Sequence, residues 1–483
     1  MPLVTRVLDA DPVTSFEAHR SRGGGAGLDA AVRMGGDAVL EEVEASGLRG
    51  RGGAGFPTGR KWRTVLENHT AGTPLDVVVN AAEGEPGSFK DRWILRRDPY
   101  RVLEGALIAA RTLGADRVVI ATKADFATEI AALRRAVDEV VSAGWAEGVR
   151  VQVVEGPSEY LFGEETGLLE VLAGRGPFPR VAPPYRRGVD DDEETSAEAQ
   201  MAPPTGPGAG APALVNNVET MAHVATILGN GPEWFRETGT AESPGTIVCT
   251  VSGDVRTAGV AEVPMGTPLG EVIDAIGEGA RPKRRLVAAV SGVANPLIPA
   301  ARFDTPLTYE DMVATGSGLG AAGFIVVDET TGLVDLVHGI SRFLSVESCG
   351  QCTPCKQDGL AITGLLDRMR QGDVDEVLTT ELGDRLATVT DGARCFLANQ
   401  HQLVVDSLLS LFPDAVRSAA GRTRAGDGDE IRSPVLVAPI VDIVDGDAVL
   451  DERHAQKQPD WTYGDTWSGQ SPADRIDTQQ LED

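Results

Sequence analysis

The sequence predicts an α/β protein in which a β-rich unit and then a helical unit follow the main α/β unit. Strand-like and helix-like patterns alternate over residues 46–160. Short strands bounded by glycine or proline occupy residues 245–330, and apolar residues recur at helical spacing over residues 340–418. A chain of 483 residues is long enough for about three such domains.

Three runs of β-branched residues predict the strands of the α/β unit. They are DVVVNAAE (76–83), RVVIATKAD (117–125) and VRVQVVEG (149–156). The segments between them carry apolar residues three and four positions apart, which predicts two helices with one buried face each. Because a helix separates each pair of strands, we expect parallel strands with right-handed crossovers. A further helix is predicted over residues 218–228.

The later units are predicted from similar patterns. TIVCTVSG, GVAEVPMG, LVAAVSG and FIVVDET read as short strands, with one helix over residues 269–276. The predicted regions are a polar N-terminal extension (1–45) with weak helical patterning near 28–43, an α/β domain (46–240), a β-rich domain (245–330), a helical domain (340–420) and an acidic tail (421–483). The acidic, Pro/Gly-rich segment 186–213 is predicted to be an exposed loop, and VDIVDGDAVLDE in the tail a hairpin.

The charge of the chain limits its partners. There are 72 acidic against 44 basic residues, and the formal net charge is −28. Such a surface repels nucleic acid and anionic lipid, so neither is expected as a main partner. No apolar run approaches the ~20 residues that span a bilayer, and the N-terminus lacks a signal-peptide pattern. We therefore expect a cytoplasmic protein without direct membrane insertion.

Four cysteines predict a metal centre. Cys349, Cys352 and Cys355 form C-x2-C-x2-C in ESCGQCTPCKQDG, and Cys395 lies in a distant segment. Three thiolates from one tight loop and a fourth from elsewhere are typical of a [4Fe–4S] cluster. Zinc also accepts an all-sulfur set, and three buried free thiols are the remaining alternative. Cys249 lies alone in a predicted strand and is expected to be a core residue.

A glycine-rich loop is a candidate anion site. GLRGRGGAGFPTG (47–59) is followed by Arg60, Lys61 and Trp62. Glycines let backbone N–H groups approach a phosphate closely, and the basic side chains add charge. The alternative is a flexible turn, because the segment matches neither a Walker A motif nor the strict G-x-G-x-x-G fingerprint.

Polar residues also follow two predicted strands, and a third polar group lies at the start of the helix predicted over residues 218–228. Ligands of α/β proteins bind at the carboxyl ends of parallel strands. The alternatives are solvated loops and, for the last group, a helix cap. The candidates are Asn80, Glu83, Glu85 and Lys90 in NAAEGEPGSFKDR, Gly163, Glu164, Glu165 and Thr166 in GEET, and Asn216, Asn217, Glu219 and Thr220 in NNVET.

Taken together, these segments resemble the flavoprotein subunit, the NuoF type, of respiratory NADH dehydrogenase (complex I) and of related NAD-linked hydrogenases and formate dehydrogenases. The resemblance covers about three quarters of the chain, and five motifs occur in the family's order. They are GLRGRGGAGFPTGRKW, EGEPGSFKDR, GEETGLLEVL, LVNNVET and ESCGQCTPCKQDG. The resemblance implies an FMN-binding α/β domain, a small ubiquitin-like β-grasp domain of the SLBB type and a helical bundle that carries a [4Fe–4S] cluster.

The resemblance also implies roles for single residues. Glu85 and Glu165 would lie near the nicotinamide of NAD(H), and Phe56 and Tyr185 would flank its adenine by stacking. The cluster would be held by Cys349, Cys352, Cys355 and Cys395. FMN would be held by Gly50, Gly52, Gly53, Lys61, Asn80, Glu83, Gly163, Glu164, Asn216, Asn217 and Thr220.

The implied activity is electron entry: NADH reduces FMN, and electrons pass through the cluster to a [2Fe–2S] subunit and further electron-transfer subunits. The location is then cytoplasmic, or peripheral on the inner face of a membrane through the complex. The chain departs from the family's pattern at three positions. The family usually has an aspartate where this chain has Ala82, often an aromatic residue at Thr64 and commonly a basic residue at Ala182. Alternatives are a diaphorase subunit that runs towards NADH formation for a formate dehydrogenase or hydrogenase, and a structural subunit that no longer binds NADH.

Overall fold

The protein is represented by a computed structural model that describes residues 3–189, 211–420 and 435–459. Most of the predicted loop 186–213, together with Trp461 and Trp467, lies outside the described residues.

A four-stranded parallel sheet forms the centre of the α/β unit. Its order is β3–β2–β1–β4, with strands β1 (Asp76–Ala81), β2 (Arg117–Lys123), β3 (Arg150–Gly156) and β4 (Ala213–Asn217). The first three strands and their parallel pairing confirm the prediction. The helices of the unit are α4 (Thr58–Asn68), α5 (Lys90–Arg97), α6 (Pro99–Leu113), α7 (Ala127–Ser142), α8 (Glu165–Leu172), α9 (Val218–Asn230) and α10 (Pro232–Arg236).

The N-terminal extension folds onto this unit as three helices. They are α1 (Phe16–Ser21), α2 (Ala26–Met34) and α3 (Gly36–Ser46). The weak pattern over 28–43 corresponds to two helices because Gly35 between them has φ +83°, a conformation that ends a helix. Val39, Leu40 and Val43 are buried in the main core, so the extension is part of the α/β unit's packing.

The β-rich unit is a mixed sheet with the order β6–β5–β9–β7–β8. A central parallel pair, β5 with β9, is flanked by antiparallel strands, which fits the expected β-grasp arrangement. Its elements are β5 (Thr246–Gly253), β6 (Gly259–Pro264), α11 (Leu269–Gly277), β7 (Leu286–Ser291), β8 (Ile298–Pro299), α12 (Tyr309–Ala314) and β9 (Gly323–Asp328). Cys249 is fully buried in this unit's core, as expected.

The helical unit packs around an apolar core that also includes residues of the β-rich unit, among them Val290 and Val327. Its helices are α13 (Leu333–Glu347), α14 (Thr353–Arg370), α15 (Glu376–Thr388), α16 (Leu397–Leu411) and α17 (Pro413–Ala420). Ile362, Leu366 and Met369 are completely buried, in agreement with the predicted stripe. The predicted hairpin is formed by β10 (Ile440–Val444) and β11 (Asp447–Leu450), which pair antiparallel.

Candidate functional site

The glycine-rich loop is anchored to both the α/β and the β-rich unit. The Gly50 N–H donates to the Phe56 carbonyl at 2.8 Å, and the Tyr309 hydroxyl donates to the Gly50 carbonyl at 2.7 Å. The Arg51 N–H donates to Thr220 Oγ1 at 2.9 Å. Gly53 has φ +133°, a backbone conformation that favours glycine. The loop is therefore held in one shape, which argues against a flexible turn.

The loop leads into α4, whose side chains point to the carboxyl edge of the sheet. The Trp62 indole N–H donates to Asn216 Oδ1 at 2.9 Å. Lys61 forms an ion pair with Glu165 at the start of α8. Thr58 Oγ1, in the first turn of α4, is buried and has no hydrogen-bond partner among the described residues. The Thr58 hydroxyl is thus available to bond a ligand, and Lys61 adds a positive charge at this edge.

Polar residues from three segments meet at the same edge. The Asn80 side-chain N–H donates to the Gly163 carbonyl at 2.7 Å. A Cβ on Gly163 would lie 3.1 Å from the Ala82 carbonyl, and one on Gly52 would lie 3.2 Å from the Asn217 Cβ. The loop, the ends of β1 and β4 and the turn before α8 thus lie side by side. Glycine at these two positions lets the segments pack closely against each other. The glycine-rich loop, Lys61 and the amide side chains give a donor set that fits the phosphate and ring of FMN.

A buried charged cluster lies behind this edge. The Lys90 ammonium contacts Glu219 at 2.8 Å and Asp91 at 2.7 Å and donates to Asn217 Oδ1 at 3.1 Å. Asn217 in turn donates to Asp91 Oδ2 at 2.7 Å. Burial raises the pKa of Asp91 to about 6 even though Lys90 opposes the shift. The cluster fixes the orientation of the Asn217 amide.

Glu219 also connects two units. It lies on α9 with no exposed surface, and its Oε1 accepts the Val248 N–H of β5 at 2.8 Å. Burial raises its pKa, but Lys90, His223 and Arg51 together outweigh that effect and lower the pKa to about 2.

Two predicted ligand residues have their carboxylates engaged within the chain. Glu83 accepts from Ser88 Oγ at 2.6 Å and from Arg92 Nε at 3.1 Å. Burial raises the pKa of Glu83, but Arg92 and Lys90 outweigh it and hold the pKa below its ordinary value. Glu164 is the N-cap of α8, because its Oε2 accepts the Gly167 N–H at 2.8 Å. These carboxylates shape the edge through local contacts.

Glu85 lies where the three units meet. Its Oε2 accepts the Tyr160 hydroxyl proton, and its Oε1 accepts the Val293 N–H of the β-rich unit at 2.6 Å. Gln400, on α16 of the helical unit, donates to the Tyr160 hydroxyl oxygen at 3.1 Å. Burial raises the pKa of Glu85, although both hydrogen bonds oppose the shift.

Two predicted stacking residues lie at the surface. Phe56 is 45% exposed and Tyr185 is 37% exposed, which leaves both rings able to receive a planar group. The Arg60 guanidinium lies 5.9 Å from the centroid of the Phe56 ring. Of the three departures, Ala82 and Ala182 are buried, and Thr64 donates to the Arg60 carbonyl at 3.0 Å.

The four predicted cluster ligands line one pocket. Cys349, Cys352, Cys355 and Cys395 share it with residues of the α/β unit, Leu161 and Pro179. Within the described ranges, no three Cys, His, Asp or Glu side chains converge tightly enough for a single metal ion. Four thiols around a common space fit a cubane, in which each sulfur binds a different iron, better than one zinc ion.

Burial and a nearby lysine act in opposite directions on the pKa of two of these thiols. Burial raises the pKa of Cys355 to about 11 and raises the pKa of Cys349. Lys356, completely buried beneath the pocket, donates to the carbonyls of Ser345 and Ser348. Its charge opposes both pKa shifts and favours the thiolate form that an iron cluster requires.

Two family models match the chain in the segments that carry these features. The model of the Nuo51 FMN-binding domain matches residues 43–226, which include the glycine-rich loop and the sheet edge. The model of the NADH-ubiquinone oxidoreductase-F iron-sulfur binding region matches residues 335–419, which include all four cysteines of the pocket.

Relatives extend the match over most of the chain. The NADH-quinone oxidoreductase F-subunit 2 of Rhizobium meliloti is 35% identical over 382 residues, which are 77% of this chain and 86% of that protein. The chain belongs to the NADH-quinone oxidoreductase F-subunit family. The F-subunit of Rhodobacter capsulatus is 37% identical over 373 residues, 75% of this chain and 82% of that protein.

Solved structures agree with this assignment. An NAD⁺-reducing [NiFe]-hydrogenase in its H₂-reduced state matches with a TM-score of 0.72 and 33% identity, over 88% of this chain and 68% of that one. This member of the family is thus an NADH dehydrogenase-type oxidoreductase that carries an FMN-binding domain and an iron–sulfur region. No helix within the described residues is long and apolar enough to cross a membrane.

Sequence reasoning missed several residues of the site. Tyr160 precedes the GEET motif by three residues. Its place after a predicted strand could have marked it as a site residue. Lys90 and Glu219 were among the predicted polar candidates, but their mutual contact joins segments more than 120 residues apart and was not predicted. Asp91, which contacts Lys90, was not singled out. Gln400 gave no signal, because its partner lies 240 residues earlier in the chain.

Proposed function

We propose that this chain is the electron-entry subunit of a larger complex, in which it oxidises NADH and passes electrons through its cluster to a partner subunit. One observation carries the proposal. Leu161 lines the cysteine pocket, and the short 3-10 helix that contains it ends at Gly163, which contacts Asn80 at the flavin edge. The cysteine pocket and the sheet edge therefore share one short segment of chain.

FMN supplies the conversion between a two-electron hydride donor and one-electron carriers. In this proposal the loop at Gly52 and Gly53, together with Lys61, would bind its phosphate. Gly50 would hold the shape of the loop, because its N–H donates to the Phe56 carbonyl. Asn80 and Asn216 would offer amide groups to the ring, and Gly163 would line the site where its backbone packs closely against Ala82. Asn217, Thr220, Glu83 and Glu164 hold the walls of the site through the contacts described above.

The same edge provides groups for NAD(H). Phe56 and Tyr185 would stack against the adenine, since both rings are partly open to solvent. Glu85 and Glu165 would lie at the nicotinamide end. Their charges oppose tight binding of a dianionic dinucleotide, so they favour release of the product. Lys61 moderates this field, because it pairs with Glu165.

Cys349, Cys352, Cys355 and Cys395 would hold the [4Fe–4S] cluster. With all four thiols used, the described residues offer no second set of cysteines, so electrons leave to another protein. We propose a [2Fe–2S] subunit and further electron-transfer subunits as that partner. We also propose a cytoplasmic location, with peripheral docking on the inner face of a membrane where the whole complex is membrane-bound.

An anaerobic titration with NADH tests the proposal. The protein loaded with FMN and cluster is titrated while flavin absorbance and low-temperature EPR are read on one sample. We expect flavin bleaching together with a four-iron signal. If dithionite reduces both centres but NADH and NADPH reduce neither, the chain is a structural subunit, and Thr64, Ala82 and Ala182 become the residues to restore.

The hydrogenase similarity favours a second candidate. The matched structure belongs to an enzyme that reduces NAD⁺, so this chain would run the same chemistry towards NADH formation. Affinity purification of the chain from its native cells, followed by mass spectrometry, distinguishes the two. A partner with a nickel or molybdenum site supports NADH formation, and quinone-reducing subunits support NADH oxidation.

A further inference from the structure

The segment 435–459, which includes the β10–β11 hairpin, contacts all three units of the protein. We call residues 435–459 the C-terminal clasp. They lie beyond the residues that either family model matches. The clasp is part of the packed structure, since Val437, Ile440 and His454 are buried.

On the α/β unit, the clasp binds two arginines of α5. Arg92 donates to the Ile440 carbonyl at 2.5 Å, and Arg96 donates to Asp442 at 2.7 Å. On the β-rich unit, the Ala258 N–H donates to the Gly446 carbonyl at 2.5 Å. The hairpin thus bridges these two units.

On the helical unit, the clasp covers the end of α13. Arg342 donates to the carbonyls of His454, Ala455 and Lys457 at 2.7, 3.1 and 3.0 Å. The His454 ring stacks on Phe343 with 5.4 Å between ring centroids. Lys457 then reaches Glu347, the last residue of α13, with 2.7 Å between Nζ and Oε1.

Glu347 connects Lys457 with the candidate NADH site. Its side chain is 1% exposed, and its second oxygen accepts the Tyr160 backbone N–H at 2.9 Å. The Tyr160 hydroxyl in turn donates to Glu85. An unbroken series of contacts therefore joins Lys457 to the carboxylate proposed for the nicotinamide end.

We propose that the C-terminal clasp is a positioning element for the dinucleotide site, in which Lys457 holds Glu347, Glu347 holds the Tyr160 backbone, and Tyr160 orients Glu85. His454 Nδ1 also lies 3.6 Å from Glu347 Oε1, but Lys457 is closer, at 2.7 Å. A buried carboxylate that loses its nearest cation turns towards other partners or water. Loss of Lys457 then loosens Tyr160 and Glu85 without touching any predicted ligand of FMN or of the cluster. The inference rests on the proposed function, because it assigns the clasp to the NADH site.

Three variants of the full-length, cofactor-loaded protein test it. Lys457→Met removes the cation, Lys457→Arg keeps it, and Arg453→Met is the matched control. Arg453 lies in the same clasp, but its guanidinium pairs with Asp125 and Asp451 instead of Glu347. Hydrogen–deuterium exchange is followed for the peptide that contains Tyr160, and KM and kcat are measured for NADH with ferricyanide.

Lys457→Met is expected to accelerate amide exchange around Tyr160 and to raise KM about three- to tenfold, with kcat changed less than about twofold. Lys457→Arg and Arg453→Met should remain close to the parent protein in both measurements. A lower melting temperature without a change in exchange or KM would show a purely structural clasp and overturn the proposal. Equal rises of KM in Lys457→Met and Arg453→Met would overturn the route through Glu347.

The two proposals fail differently. If the parent protein does not oxidise NADH, the proposed function fails and the positioning role falls with it. The exchange measurement still shows in that case whether Lys457 holds Tyr160. If the parent oxidises NADH and Lys457→Met behaves identically in both measurements, the clasp inference alone is wrong.

Discussion

At the scale of single residues, the cysteines differ in what surrounds them. Cys352 lines the pocket with three other thiols, whereas Cys249 is buried in the core of the β-rich unit. Cys352→Ser should abolish the four-iron EPR signal and electron transfer to one-electron acceptors while FMN stays bound. Cys249→Ala should leave the signal intact. A full signal in Cys352→Ser would place the cluster elsewhere.

The charge of Glu165 can be removed with little disturbance of the fold, because its side chain is 43% exposed. Glu165→Gln should tighten NAD⁺ binding about threefold, since a negative charge is lost and Lys61 gains freedom to face the phosphates. Isothermal titration calorimetry measures this change. Glu44→Gln, which removes a carboxylate paired with Arg63 of α4, is the control. Weaker NAD⁺ binding in Glu165→Gln would contradict the proposal that the Glu165 charge opposes binding of the dinucleotide.

At the scale of elements, the shape of the glycine-rich loop depends on its contact with α12. Gly55 has φ +63°, and a Cβ there would lie 2.3 Å from the Tyr309 ring. Gly55→Ala should therefore displace Tyr309, which anchors the Gly50 carbonyl, and the protein should lose most of its flavin during gel filtration. Gly114→Ala shares the positive φ but has nothing within 4 Å of the new Cβ, so it should keep its flavin.

The helical unit contains a histidine that makes it sensitive to acid. His401 on α16 is 1% exposed and lies 2.6 Å from Ser341 Oγ. Burial lowers its pKa from 6.5 to about 4. The folded state therefore binds fewer protons than the unfolded state between these values. Stability from this group is complete above pH 6.5 and is lost as the pH falls to about 4, by up to about 3 kcal/mol.

Thermal unfolding between pH 4 and pH 7 tests this prediction. His401→Asn should flatten the fall of the melting temperature over that range. The same substitution of His69, which ends α4 in the α/β unit, serves as the control and should leave the slope unchanged. Identical slopes in the His401 variant and the parent protein would refute the assignment.

At the scale of the whole molecule, local patterns predicted most elements but few of the contacts between them. β1, β2 and β3 are strongly β-branched and were predicted from the sequence alone. β4 was missed because its five residues follow a Pro/Gly-rich segment and run directly into α9. Residues 1–45 were predicted as a polar extension with only weak helical patterning, because the polar sides of the N-terminal helices dominate the composition of this segment.

The site shows the same division. Motif spacing identified the cysteines, the glycine-rich loop and the polar ends of the strands. It could not show that Glu164 caps α8 or that Glu83 pairs with Arg92. A carboxylate in a motif has the same sequence pattern whether it binds a ligand, caps a helix or pairs with an arginine. Tyr160, Gln400 and Glu347 meet only because three units pack together, and no local pattern encodes contacts across such separations.

The bond between Glu219 and the Val248 N–H has a consequence for recombination between relatives. A hybrid chain that receives its β-rich unit from another protein must present a backbone donor at the same point, or a carboxylate with no exposed surface loses a partner. Such a loss costs about 1–3 kcal/mol. The unit is thus poorly suited to exchange as a cassette, and we expect the α/β and β-rich units to be inherited together.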